Sequence, residues 1–143
     1  MLSLDQRTWL AILAEAWRVE PMEACGLLLA ANAEASIDRF VPIPNEAESS
    51  RVFTLEGRAF MMAERLADDE GLEVVGVVHS HTHTAAYPSA TDVSQATKPL
   101  VPPTWHWAIV SLAWGLPELR SFRVVGGEES SLGMAEETIL LKG

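Results

Sequence analysis

Over residues 72–78 the chain reads Leu-Glu-Val-Val-Gly-Val-Val, with Val74, Val75, Val77 and Val78 interrupted only by Gly76. β-branched residues at successive positions favour extended backbone, and a strand that is apolar on both faces has no side to offer to water. Such a strand has to run through the middle of a sheet covered on both sides. Helices supply the cover. Trp9, Leu10, Leu13, Ala16 and Trp17 recur at helical spacing as far as Glu20-Pro21, and Ser3 with Gln6 reads as a capping box at the start. Leu55, Ala59, Met62 and Leu66 form a second apolar stripe between a capping Thr54 and a stop at Gly71.

Further strands are expected over residues 24–30, 37–41, 105–112, 119–125 and 136–141, with turns at Gly115-Leu116-Pro117 and Gly126-Gly127. A short helix starts at Ser89-Ala90-Thr91-Asp92 and has to finish before Pro99. The expected order is α-β-β-α-β-α-β-β-β. No repeat or linker divides the chain, so the expectation is one domain over residues 1–143, of the α/β class, with a mixed sheet flanked by helices.

Twenty acidic residues against ten basic ones give a net charge of −10, which opposes the phosphate attraction behind most nucleic-acid binding. Asp68-Asp69-Glu70 and Glu128-Glu129 read as solvated surface. No apolar run reaches membrane-spanning length, and Asp5, Arg7, Glu15 and Arg18 interrupt the pattern of a secretory leader, so a cytoplasmic location is expected. Cys25 is the single cysteine, which excludes an intramolecular disulfide and a thiolate-based zinc site. Any bound metal has to be held by histidine and carboxylate.

The valine-rich strand leads into His79-Ser80-His81-Thr82-His83-Thr84-Ala85-Ala86-Tyr87-Pro88-Ser89-Ala90-Thr91-Asp92. Residues two apart in extended backbone point to one side, so His79 and His81 present two imidazoles to one point. Asp92, in the first turn of the next helix, is near enough along the chain to fold back over the strand end. Each residue has a plainer use: a lone histidine is more often packed or exposed, and Ser89 with Asp92 makes a cap that needs no metal. Taken together they are the three ligands of a tetrahedral zinc site whose fourth position is left for water.

The pattern His-x-His, seven residues, Ser, two residues, Asp resembles the motif of the JAMM (MPN-plus) metallopeptidases, matched at His79, His81, Ser89 and Asp92 without insertion. Glu23-Ala24-Cys25-Gly26-Leu27-Leu28-Leu29 is similar to the Glu-x-Cys-Gly-Leu-Leu strand of small prokaryotic members, with weaker likeness at Asn45, at Arg51-Val52-Phe53 and at Ala108-Ile109-Val110-Ser111. The resemblance implies a central curved mixed sheet flanked by helices, related to the cytidine deaminase fold, and a Zn2+ held by His79, His81 and Asp92. It implies that Glu23 moves the proton of the attacking water and that Ser89 steadies the oxyanion. The implied substrate is a ubiquitin-like or sulfur-carrier protein, cut at the peptide or isopeptide bond after its C-terminal Gly-Gly. The competing reading is a non-catalytic scaffold of the same fold, which lacks the full motif in the family.

Two positions depart from the pattern. Thr82 stands where the family commonly has proline, and His83 after it is spaced to reach the metal, although a groove-lining or exposed position fits it better. Cys25 shares the side of Glu23 in a regular strand and reads as a small buried hydrophobe, or as a redox-sensitive thiol near the metal. Alternation sets His106 opposite Trp105 and Trp107, whose bulk fits core packing.

Overall fold

The computed structural model describes residues 1–126 and 133–143; Gly127 and the Glu128-Glu129 pair lie outside the described residues. Along the chain run β1 (Leu2–Asp5), α1 (Gln6–Val19), β2 (Cys25–Ala30), β3 (Arg39–Ile43), α2 (Gly57–Asp69), β4 (Glu73–His81), α3 (Ala90–Ala96), β5 (His106–Ser111), β6 (Glu118–Val125), β7 (Gly133–Glu137) and β8 (Ile139–Lys142). Six strands form a mixed sheet in the order β3-β2-β4-β5-β6-β7, in which β4 and β5 are parallel and the other neighbours antiparallel. The valine-rich strand is β4, at the centre, as its two apolar faces require.

One face of the sheet presents Leu28, Val75, Val78, Ala108 and Val110 to Ile12, Leu13 and Ala16 of α1. The other presents Leu27, Val77, Trp107 and Ile109 to Phe53, to Ala63 of α2 and to Ala96 of α3. Val75 and Val77 lie on opposite faces although they are two apart, because the pairing with β2 jumps from Leu28↔Gly76 to Leu29↔Val74. This bulge inserts Val75 as an extra residue and turns the valines to fill both cores. Each buried valine contributes on the order of 1.5–3 kcal/mol. Gly76 is a packing requirement, since a Cβ there would sit 2.5 Å from the His106 carbonyl oxygen of β5.

The differences from the expected order have local causes. Ser3 is not a cap: it lies in β1 between the buried Leu2 and Leu4, and the cap of α1 is Asp5, which accepts from the Thr8 N–H at 2.8 Å. Glu56 takes the place expected of Thr54, its carboxylate accepting from the N–H groups of Arg58 and Ala59 at 3.0 and 2.7 Å. The strand expected over residues 136–141 divides at Thr138. Its first part, β7, closes the large sheet, and its second, β8, leaves to pair in parallel with β1. The central strand also runs further than expected and includes both His79 and His81.

Candidate metal centre

The parallel pair β4–β5 is joined by a crossover that contains α3, and the carboxyl end of β4 faces the start of that helix. Open α/β sheets bind ligands at such strand ends. Strand alternation directs His79 and His81 to one side, and Asp92 reaches back from the first turn of α3. His79 Nε2 lies 3.1 Å from Asp92 Oδ2, His81 Nε2 lies 3.2 Å from the same oxygen, and the two nitrogens are 3.2 Å apart. A tetrahedral zinc with bonds of about 2.0–2.1 Å spaces its ligand atoms about 3.3–3.4 Å apart, so this triangle matches one face of such a shell to within about 0.3 Å. All three side chains are buried, and the donor set of two imidazoles and one carboxylate suits a metal.

The surrounding residues hold the ligands in this state. His81 Nδ1 lies 2.8 Å from the Ala85 carbonyl oxygen, which can only accept, so Nδ1 carries a proton and Nε2 is the nitrogen turned to the triangle. The His79 ring stacks on Phe53, with centroids 4.4 Å apart and planes 22° from parallel. Burial drives His79 toward its neutral form, against the pull of Asp92. Burial would also lower His81, but hydrogen bonds to Asp92 and Ala85 outweigh it and raise this group. Asp92 is held well below the usual carboxylate range: burial opposes its charge, and the hydrogen bonds to both histidines outweigh that cost. Ser89 and Asp92 form the expected capping box, Ser89 N–H donating to Asp92 Oδ2 at 2.9 Å and Asp92 N–H to Ser89 Oγ at 3.1 Å. The cap and the ligand set thus share one carboxylate oxygen. The Ser89 hydroxyl is exposed and keeps its own proton to donate.

Glu23 precedes β2. The antiparallel register pairs Cys25 with His79, and carried two residues further it sets Glu23 opposite His81 on the same face. The side chain is 3% exposed, and Oε1 has no hydrogen-bond partner among the described residues. Burial lifts this carboxyl to about 7, with His81 pulling it down and Asp92 pushing it up. It is a buried acid, shifted toward neutrality, beside three groups that could hold a metal.

Two residues without an assigned role in the sequence reading hold Glu23 in place. Ser80, between the two histidines and facing the other core, accepts from the Ala24 N–H at 2.7 Å, while its own N–H donates to the Ala24 carbonyl at 2.9 Å. Asn45 donates to the carbonyls of Glu23 and Val52 at 3.1 Å each and accepts from the N–H groups of Ala47 and Thr54 at 3.0 and 2.9 Å. That one side chain ties the loop after β3 to the backbone of Glu23.

The remaining candidates lie elsewhere. His83 is exposed and outside the triangle. Cys25 is a buried thiol whose Sγ donates to the Ile43 carbonyl at 3.3 Å, and burial, with Glu15 and Glu23 nearby, pushes it up to about 12. It packs as a hydrophobe. The adjoining Gly26 leaves room for Phe40 of β3, whose ring would meet a Cβ there at 2.3 Å. Trp107 belongs to the core and Trp105 packs against it. His106, fully buried at the amino end of β5, bonds Glu137 Oε2 at 2.7 Å and the Ala33 carbonyl at 2.6 Å. It belongs to a separate polar cluster with Ser121 and Arg123.

Over residues 5–125 the chain matches a family described as prokaryotic homologs of the JAB domain. A protein of Mycobacterium tuberculosis named CysO-cysteine peptidase is 36% identical over 118 residues, covering 82% of this chain and 78% of the relative. The probable TtuB-protein conjugate cleaving protease of Thermus thermophilus is 26% identical over 116 residues, or 80% of this chain and 70% of the relative. The solution structure of a protein from Desulfitobacterium hafniense superposes with a TM-score of 0.83 at 31% identity, across 99% of this chain and 93% of its own. Among the described residues, no helix is long and apolar enough to cross a membrane.

Proposed function

The chain belongs to the family of prokaryotic JAB-domain homologs, and from that premise we propose that it is a zinc-dependent peptidase. Its substrate is a ubiquitin-like or sulfur-carrier protein, cut after the C-terminal Gly-Gly. The observation that carries the reading is the convergence of His79 Nε2, His81 Nε2 and Asp92 Oδ2 at 3.1–3.2 Å beside the buried Glu23, whose Oε1 has no hydrogen-bond partner among the described residues. Relatives named for cleaving CysO-cysteine and TtuB-protein conjugates support a carrier-type substrate. The full set of Glu23, His79, His81, Ser89 and Asp92 weighs against a scaffold, which has no use for it.

His79, His81 and Asp92 would hold the ion, which when bound would supply a Lewis acid able to polarise a carbonyl and to lower the pKa of water to about 7. Glu23 takes a proton from the attacking water as its oxygen bonds to the carbonyl carbon of the terminal glycine. The C–N bond then breaks as Glu23 delivers that proton to the departing amine; the carrier is left with a carboxylic acid, whose proton passes to the free amine to give a carboxylate and an ammonium. Ser89 Oγ donates to the carbonyl oxygen as charge develops on it, worth about 3–4 kcal/mol in comparable sites. Glycine at the cut lets an extended chain approach the buried ligands without side-chain obstruction.

The test is Glu23→Gln, which keeps size and removes the base. Zinc content, by elemental analysis, stays at one per chain, and the carrier still binds. Cleavage of a diglycine-extended carrier, followed by mass, falls by about a hundredfold or more. Undiminished cleavage by this variant would refute the mechanism.

A further inference from the structure

Ser111 closes β5 opposite His81 in the parallel register of β4 and β5, and it is 1% exposed. Its hydroxyl is committed on both sides. The Ala113 N–H, which can only donate, reaches Ser111 Oγ at 3.2 Å, so the hydroxyl proton is left for the Thr84 carbonyl oxygen, 2.6 Å away. The segment after β4 is thereby tied to the end of β5, where the Leu112 N–H also donates to the His81 carbonyl at 3.1 Å. That segment offers His81 Nδ1 two different neighbours. The Ala85 carbonyl oxygen, held from its other side by the Tyr87 N–H at 2.8 Å, lies 2.8 Å from Nδ1 and can only accept. Thr84 Oγ1 lies 3.1 Å from the same nitrogen, and a hydroxyl can either accept from it or donate to it. Acceptance keeps the ring proton on Nδ1 and leaves Nε2 for the triangle. Donation takes the Nδ1 lone pair, places the ring proton on Nε2 and removes His81 from the donor set.

We propose that Ser111 is a positioning residue for the metal centre: by holding the Thr84 carbonyl it keeps the Ala85 oxygen, and not the Thr84 hydroxyl, as the partner of His81 Nδ1, and so fixes which nitrogen of His81 is offered to the metal. The assignment rests on the metal-binding part of the reading above and is independent of the substrate. Two groups of one threonine act in opposite senses. The Thr84 carbonyl, bonded to Ser111, sets the course of the segment, while the exposed Thr84 hydroxyl is the competitor that this course keeps at the longer distance. Loss of the Ser111 hydroxyl releases Thr84 to approach Nδ1 as a donor. Loss of the Thr84 hydroxyl as well leaves the Ala85 carbonyl without a rival, so the second change should repair the first. A serine that served only the stability of β5 would show no such repair.

The experiment measures zinc affinity by competition with a chelator. Ser111→Ala should bind zinc about tenfold more weakly, the scale of losing a group that orients a metal-binding histidine. Thr84→Val alone should bind as the unmodified protein does, and Ser111→Ala combined with Thr84→Val should recover most of the loss. Ser111→Thr, which keeps the hydroxyl, should lose little. In 15N-labelled, zinc-free protein at alkaline pH, where the ring holds a single proton, NMR should find that proton on His81 Nδ1 in the unmodified protein and shifted toward Nε2 in Ser111→Ala. Should the alanine variant not fold, Ser111→Cys fills the same space with a weak donor and carries the same NMR test without zinc. Unaltered affinity in Ser111→Ala, an equal loss in the double variant, or a ring proton on Nδ1 in every variant would overturn the assignment. No zinc binding by the unmodified protein would instead overturn the metal reading, and the position of the ring proton would then decide the role of Ser111 by itself.

Discussion

Replacing Ser80 by alanine tests how the position of Glu23 is maintained. Ser80 Oγ is the acceptor for the Ala24 N–H at 2.7 Å, and the two residues are 0% and 6% exposed, so water has no route to the N–H when the hydroxyl is removed. A buried donor left without an acceptor costs about 1–3 kcal/mol, and the lost oxygen leaves too small a gap to add much. With a urea slope of about 2 kcal/mol/M, the midpoint should fall by roughly 0.5–1.5 M, read from tryptophan fluorescence. The catalytic effect has a different signature. Strand alternation points Ser80 away from His79 and His81, so zinc should remain at one per chain. Glu23, the next residue before Ala24, loses the anchor of its backbone and should cost kcat about tenfold at constant KM, the penalty of a slightly misplaced proton carrier. Stability within about 0.3 kcal/mol of the parent protein would show that the Ala24 N–H finds another acceptor and that Ser80 holds nothing.

The ligand assignment predicts that His79→Ala and His81→Ala each lose stoichiometric zinc by elemental analysis, whereas His83→Ala keeps it; zinc loss in the last variant would make His83 a ligand. Burial would raise the pKa of Glu137, but hydrogen bonds from His106, from the amino terminus and from Ser121 bring it down from 4.5 to about 2. A depressed carboxyl contributes stability that is present above 4.5 and disappears as pH falls toward 2. Denaturant titrations of the unmodified protein should therefore lose stability across that window, and Glu137→Gln should flatten the dependence while costing about 1–3 kcal/mol at neutral pH. An unchanged pH profile in the variant would remove Glu137 from this role.

The metal triangle is legible in the sequence because its geometry is local. His79 and His81 are set by the two-residue period of one strand, and Asp92 by a cap that Ser89 announces in the chain itself. Glu23 is not local. Its place opposite His81 depends on the register between strands over 50 residues apart, which composition does not specify and which entered the reading through the Glu-x-Cys-Gly pattern. Ser80 and Asn45 were harder still, since a hydroxyl between two histidines and an amide in a polar loop look like solvated residues until the backbone groups they satisfy are in place. The same limit applies to β1 and β8: four-residue strands at the two ends of the chain give too short a pattern to call for each other. It applies also to His106, whose partner Glu137 lies 31 residues away. The two polar clusters occupy opposite ends of the β4–β5 pair, and the apolar side chains between them explain why only one could be seen. At the carboxyl end, polar residues interrupt an apolar run in sequence order, and the break is visible. At the amino end, a single histidine is flanked by Trp105 and Trp107, and it becomes a charged cluster only when β6 and β7 bring Ser121, Arg123 and Glu137 to it. The end that carries chemistry is therefore encoded along the chain, and the end that carries stability is encoded across the sheet.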